Sequence, residues 1–488
     1  MIKNYISKFK QLQPTAKAAI CFTICNLFLK GINLLTTPVF TRLISDYEYG
    51  TLSIFMSYEQ FLLIFATWEI SLGAYQKGIF KYKDNLPFFT SSMQIFSNLL
   101  TITLFVLLFV FKKTVYSFTG MDTDVLMVVF LFLMMQPAYN SFIIRKQANY
   151  EYWPVITITT IYTLLNLIVP IVALILFGRT AKIKFCATMI ASMSVCVSFY
   201  CVNLKGYWKL KGNIRKLKEQ WKFICSFQMP LVLHSLSFLV LGQADRVMIG
   251  KMVGNAQAGF YSIAYTLASI ISIIQNSINQ VLVPWCYRKM DEKAYSEIKK
   301  NTNYLLIGIG AIALGTILVA PELMKILYTK EYYEAVWSIP PVTAGVYFVF
   351  LYSVFVNIES YFSKTTYIMY VSIACGILNV ILNFLLIGVF GYIVCGYTTM
   401  VSYIAFAIGH YYFMKKVCKH EIPGVEVFDV KKIVLISGAV VVAAILITLI
   451  YPYWMIRYGI LSIMVSVGII YRKKLIAFSR TVFSKNNA

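Results

Sequence analysis

The stretch VITITTIYTLLNLIVPIVALILF, residues 155–177, runs for 23 residues without a charge. As a helix it is long enough to cross roughly 30 Å of hydrocarbon. Inside lipid, only a helix satisfies its own backbone within a single segment. Comparable stretches recur at residues 18–37, 51–74, 86–111, 125–144 and 185–203. A second series follows at 223–249, 259–285, 304–320, 335–358, 367–390, 391–414, 433–450 and 454–471. The expected fold is therefore an all-α integral membrane protein of about 14 transmembrane helices.

Composition agrees. The 488 residues are 59% hydrophobic and only 13% charged, with a mean hydropathy of +0.71. The first apolar stretch is about 20 residues long, lacks a small-x-small cleavage site and carries Lys30 in its middle, so it reads as a span and not as a signal peptide.

The charge pattern orients the spans. With the N-terminus inside, 32 of the 44 lysines and arginines fall on inward connections and tails. A threefold excess on one side predicts cytoplasmic termini. The formal charge of +24 is spread over short loops beside spans. That argues for topology and anionic inner-leaflet lipid, and against nucleic acid as a partner. The ten cysteines lie within helices or at inward ends and predict neither a disulfide framework nor a metal site. No G-x-x-x-x-G-K-S/T motif occurs, so no ATP-driven step and no cofactor is expected.

The chain also repeats itself. RLISDYEYGTLSI (42–54) and KMVGNAQAGFYSI (251–263) align at a constant offset of 209, pairing Asp46 with Asn255, Glu48 with Gln257 and Gly50 with Gly259. Both turns follow an in-to-out helix, so the repeats run parallel. The domain expectation is an N-lobe over 1–204, a basic linker over 205–222 and a second lobe over 223–415. A cytoplasmic loop over 416–432 and a final helix pair with its tail over 433–488 complete it.

Three blocks carry a family likeness. PVFTRLISDYEYG (38–50), the region 230–287 with QADRVMIG (243–250), GFYSIAY (259–265) and VPW (283–285), and ILYTKEYYEA (326–335) resemble bacterial polysaccharide flippases of the O-antigen type. These belong to a superfamily that includes multidrug and toxin extruders and the lipid II flippase. The resemblance implies a V-shaped pair of six-helix lobes with two further helices outside the core. It also implies a cargo: an oligosaccharide on undecaprenyl pyrophosphate, turned across the bacterial cytoplasmic membrane. A polysaccharide polymerase and a chain-length regulator are the protein partners it suggests.

Polar residues inside spans need a partner or a cavity, because a charge at the bilayer centre costs roughly 2.5–3.5 kcal/mol on insertion scales. Lys30, with Asn26 and Asn33 on the same face, and Glu59 at similar depth on the next helix form one group. Lys30 reads either as a cation for cargo phosphate or as half of a structural ion pair with Glu59. Glu59 reads as an ion-coupling group or as the other half of that pair. Asp245, another ion-coupling candidate, and Arg246 lie towards the outer end of the seventh helix, at a cavity mouth or at the headgroups. Gln275, Asn276, Asn279 and Gln280 form an amide facet for sugars or for a neighbouring helix. Asn379 and Asn383 repeat that pattern more weakly, His234 reads as a packing histidine, and Glu69 and Glu359 read as interfacial.

Two rivals remain open. A polysaccharide polymerase or ligase would need a catalytic loop with clustered acids, histidines or arginines, whereas the longest outward connection, 321–334, is short. A drug-extruding antiporter would share the fold, but residues 18–38 carry no acidic group.

Overall fold

A computed structural model describes residues 14–205 and 213–470. Sixteen α-helices account for most of them, and no strand occurs among the described residues. They are α1 (Pro14–Leu43), α2 (Asp46–Thr67), α3 (Ala74–Lys81), α4 (Leu86–Val110), α5 (Lys112–Thr119), α6 (Thr123–Ala148), α7 (Tyr152–Phe177) and α8 (Ala181–Lys205). Then come α9 (Ile214–Met252), α10 (Asn255–Asp291), α11 (Tyr295–Leu327), α12 (Ile339–Tyr361), α13 (Thr365–Phe390), α14 (Val394–Glu421), α15 (Val430–Leu449) and α16 (Trp454–Ile470). Setting aside the eight-residue α3 and α5 leaves the fourteen long helices that hydropathy called for. Ten apolar helical stretches are long enough to span a membrane by length and composition alone.

The described chain forms two compact units that divide at Leu239/Val240, inside α9. In unit 1, α2 packs on α4 and α6, α4 on α6, α6 on α7 and α8, and α7 on α8. Unit 2 repeats every one of these pairs: α10 with α11 and α12, α11 with α12, α12 with α13 and α14, and α13 with α14. The duplicated turns sit alike. Gly50 is the fifth residue of α2, and Gly259 is the fifth of α10. Helices α15 and α16 pack on α11, outside the repeated plan.

Local chemistry sets the starts and crossings. Ser45 caps α2 by accepting from the Glu48 N–H at 3.3 Å. Gly254 takes that position for α10 with φ +153°, and a side chain there would meet Gln257 Oε1 at 2.7 Å. At the α12–α14 crossing, a Cβ on Gly345 would lie 3.3 Å from the Met400 backbone. Helices in lipid gain most from such close approach.

Two expectations change. Residues 51–74 are not one helix: α2 stops at Thr67, because Trp68 and Glu69 take positive φ values of 50° and 48°. The break is held by Gln228, which donates to the Trp68 carbonyl and accepts from the Ala74 N–H, both at 2.8 Å. The basic run 205–222 lies partly outside the described residues, at 206–212. Its second half is helical, as the start of the 39-residue α9. Trp221 and Phe223 anchor it, stacking edge-on against Phe96 and Tyr82.

Candidate functional site

Asp245 is fully buried in unit 2 and receives hydrogen bonds from three other helices. The Tyr261 hydroxyl of α10 donates to Oδ2 at 2.5 Å, and Thr399 Oγ1 of α14 donates to the same oxygen at 2.7 Å. Asn383 Nδ2 of α13 donates to Oδ1 at 2.5 Å. Around them, Thr398 donates to Asn383 Oδ1, and Asn379 Nδ2 lies 3.4 Å from Thr399 Oγ1. Tyr261, Asn379, Asn383 and Thr399 are all fully buried. The i, i+4 spacing of Asn379 and Asn383 puts both on one face of α13, and Thr398 and Thr399 sit in the second turn of α14.

No cation pairs with Asp245 among the described residues. Its neighbour Arg246 points elsewhere, donating to the Gly242 carbonyl and to Gln243 Oε1 at 3.0 Å, with its guanidinium 4.7 Å from the Tyr265 ring centre. An unpaired buried carboxylate is costly, and hydrogen bonds to a charged group return about 1.5–3 kcal/mol each. Three of them make the ionised form tolerable without neutralising it. The surrounding oxygens (carboxylate, two amide carbonyls, three hydroxyls) are hard donors suited to a proton or a small hard cation. No cluster of three His, Cys, Asp or Glu residues occurs among the described residues.

The other candidates are dispersed. Lys30 and Asn26 are exposed, and the side chain of Asn33 lies outside the described residues. Lys30 forms no ion pair with Glu59. The Glu59 carboxylate is buried and accepts from Gln60 Nε2 at 2.7 Å. The amide facet splits. Gln275 is buried and donates to the Val346 carbonyl at 3.0 Å, and Asn279 meets Ser353 at 3.2 Å, so both serve the α10–α12 contact. Asn276 and Gln280 lie on the exposed side. His234 is half-buried, its ring 6.4 Å from Phe238.

Glu359 is not interfacial. It is fully buried two residues before α12 ends, where His410 of α14, itself fully buried, holds it. The sequence separates this pair by 51 positions, and the partners of Asp245 by up to 154, so beyond the acids themselves only the i, i+4 asparagines hinted at either group.

Comparison with known proteins places the chain as a whole. The profile of the polysaccharide biosynthesis protein family matches residues 15–290, more than half of the chain. The chain belongs to that family. It is 19% identical over 304 residues to Lsg locus putative protein 1 of Haemophilus influenzae, covering 61% of this chain and 73% of that protein. It is 25% identical over 225 residues to the capsular polysaccharide biosynthesis protein CapF of Staphylococcus aureus, covering 44% and 55% respectively. Among solved structures it is similar to the lipid II flippase MurJ in an inward closed conformation, with a TM-score of 0.65 at 16% identity over 93% of this chain and 100% of that one. An inward-facing multidrug resistance MATE transporter of the MOP superfamily follows, with a TM-score of 0.59 at 12% identity over 82% and 98%. For this polysaccharide biosynthesis protein, the MOP-superfamily fold and multi-pass membrane residence are thus secure.

Proposed function

We propose that the chain is a flippase that carries a lipid-linked saccharide repeat unit, with undecaprenyl pyrophosphate as the anchor, across the bacterial cytoplasmic membrane with both termini inside. The observation that carries this reading is the pairing of a polysaccharide-biosynthesis family match with two bundles built on one repeated plan. Duplicated bundles of this kind move cargo by alternating access. The Asp245 cluster is the ion-coupling site. Its carboxylate is bound by neutral donors only, so a proton or alkali cation changes its charge without breaking an ion pair. Lys30 and Asn26 in unit 1, and Asn276, Gln280 and Arg246 in unit 2, are the cargo-binding candidates.

Removal of the gene tests this. Lipid-linked saccharide should accumulate on the cytoplasmic side and surface polysaccharide should disappear, with both restored by the intact chain. Surface polysaccharide at normal levels in its absence, with no accumulation, would refute the reading.

A further inference from the structure

Helix α14 carries Thr399, Tyr403, Phe406 and His410 at i, i+4, i+7 and i+11, a single helical face. That face runs about 17 Å from the Asp245 cluster to the buried His410–Glu359 pair. Polar groups mark most of it. Tyr403 and Tyr265 hydroxyls meet at 3.1 Å, one turn inward from Thr399. The Tyr265 ring lies 6.3 Å from that of Tyr261, the Asp245 partner one turn outward on α10. The Tyr352 ring then stacks on His410, 5.5 Å between centres.

The lower end of this ladder is built for a proton. His410 Nδ1 lies 3.2 Å from each oxygen of Glu359. With Glu359 ionised, Nδ1 carries the hydrogen that the carboxylate accepts, in either charge state of the ring. The other nitrogen, Nε2, is buried without a hydrogen-bond partner. It is the atom that gains or loses the second proton.

The buried charge beside the ladder is Arg246 of α9, whose guanidinium lies 4.7 Å from the Tyr265 ring centre. Helix α10 contributes Tyr265 and, at its inner end, Asp291, which accepts from Tyr361 at 2.6 Å. Helix α13 packs Val371 against Gly409 and carries Cys375 one turn further on. From α15 comes Ser437, hydrogen-bonded to Tyr347 at 3.1 Å. Just outside, Lys364 is neutralised by Glu421 at 3.1 Å.

We infer that His410 and Glu359 form a second proton-binding site, and that the coupling ion is a proton exchanged between this pair and Asp245 along the hydroxyl ladder. The inference rests on the flippase reading above and names the ion for its coupling site. One proton leaves His410 Nε2 to water, the Tyr265 and Tyr403 hydroxyls each accept one proton and release another, and one arrives on the Asp245 carboxylate, so only the two ends change.

The full chain in lipid nanodiscs, with ring-labelled histidine, provides the test by NMR. Only three histidines occur, and His410→Gln identifies the relevant signal. The pH response of the His410 signal should change in Asp245→Asn, and Tyr265→Phe with Tyr403→Phe should abolish that change. A His410 signal that stays neutral throughout, or one indifferent to Asp245→Asn, overturns the relay. In cells at matched abundance, Glu359→Gln and His410→Gln should each cut export about tenfold. Export that depends on sodium and ignores pH also overturns the relay, while leaving the flippase reading intact. If deleting the gene causes no saccharide accumulation, the flippase reading fails instead, and the cargo-free titration decides the proton-binding pair by itself.

Discussion

In unit 1 the α6–α8 contact is closed by Asn203, which donates to Ser141 at 3.2 Å beside buried Gln94. In unit 2 the equivalent α12–α14 contact is closed by His410 and Glu359. Gln94, Asn98 and Tyr200 continue the first network with amides and a hydroxyl, whereas Asp245 heads the second. Unit 1 does bury Glu59, and Lys184 over the Phe40 ring at 4.5 Å, but the two stand apart. One helix plan thus supports two kinds of interior. Amide networks keep the same hydrogen bonds at any pH, while linked carboxylates and imidazoles change charge and can be read by a transport cycle.

The contrast breaks most directly at Asp245. Asp245→Asn should lower export about tenfold to hundredfold, the loss of charge-assisted bonds worth roughly 1.5–3 kcal/mol, with membrane abundance unchanged. Glu59→Gln should cost clearly less. Equal losses, measured as cytoplasmic lipid-linked saccharide, would erase the distinction between the units.

Next in size is Arg457→Met. Arg457 is buried and grips Glu322 at 2.6 Å with two nitrogens, while also donating to the Leu318 carbonyl at 2.7 Å. Thermal unfolding in detergent should show a loss of about 1–3 kcal/mol, largely recovered by adding Glu322→Met. Failure of the double variant to recover would show that the carbonyl contact matters more than the ion pair.

A smaller effect concerns Lys30. Because it makes no ion pair with Glu59, Lys30→Ala and Glu59→Gln should combine additively in export, within about 0.5 kcal/mol. Rescue in the double variant would mean that the two residues do meet during the cycle.

The smallest lies at the surface of unit 1. Partial burial raises the Asp122 carboxyl, but the Lys182 ammonium at 2.6 Å and the Val125 N–H more than offset it, leaving it below the usual range. A depressed carboxylate contributes stability above its unfolded range and loses it as pH falls through the folded value. Acid should therefore destabilise the intact chain slightly more than Asp122→Asn, as read from unfolding midpoints.

The spans and the duplication were legible because lipid imposes length and apolarity on every segment, and because the 42–54 and 251–263 turns kept their glycines. Helix ends were not. Helix α11 begins at Tyr295, well before the apolar run at 304, since polar turns outside hydrocarbon leave no hydropathy signal. Nor could composition show that Trp68 and Glu69 adopt left-handed backbone, because neither residue type favours it. Asp245 stood out as a charge within a span, but Thr399 and Tyr261 look like ordinary helix residues until folding gathers them. Glu359 was misread because its position near a helix end suggests the interface, while His410 across the bundle buries it.

The Arg457–Glu322 clasp has a consequence for biogenesis. Helix α11 is synthesised before α16, so Glu322 waits in place while the last hairpin is still emerging. With cytoplasmic termini as proposed, Arg457 must cross the bilayer to reach it, against an insertion cost of roughly 2.5–3.5 kcal/mol. A chain lacking Glu322 should stall at this final step, leaving the C-terminal hairpin uninserted and open to proteolysis although both bundles have already formed.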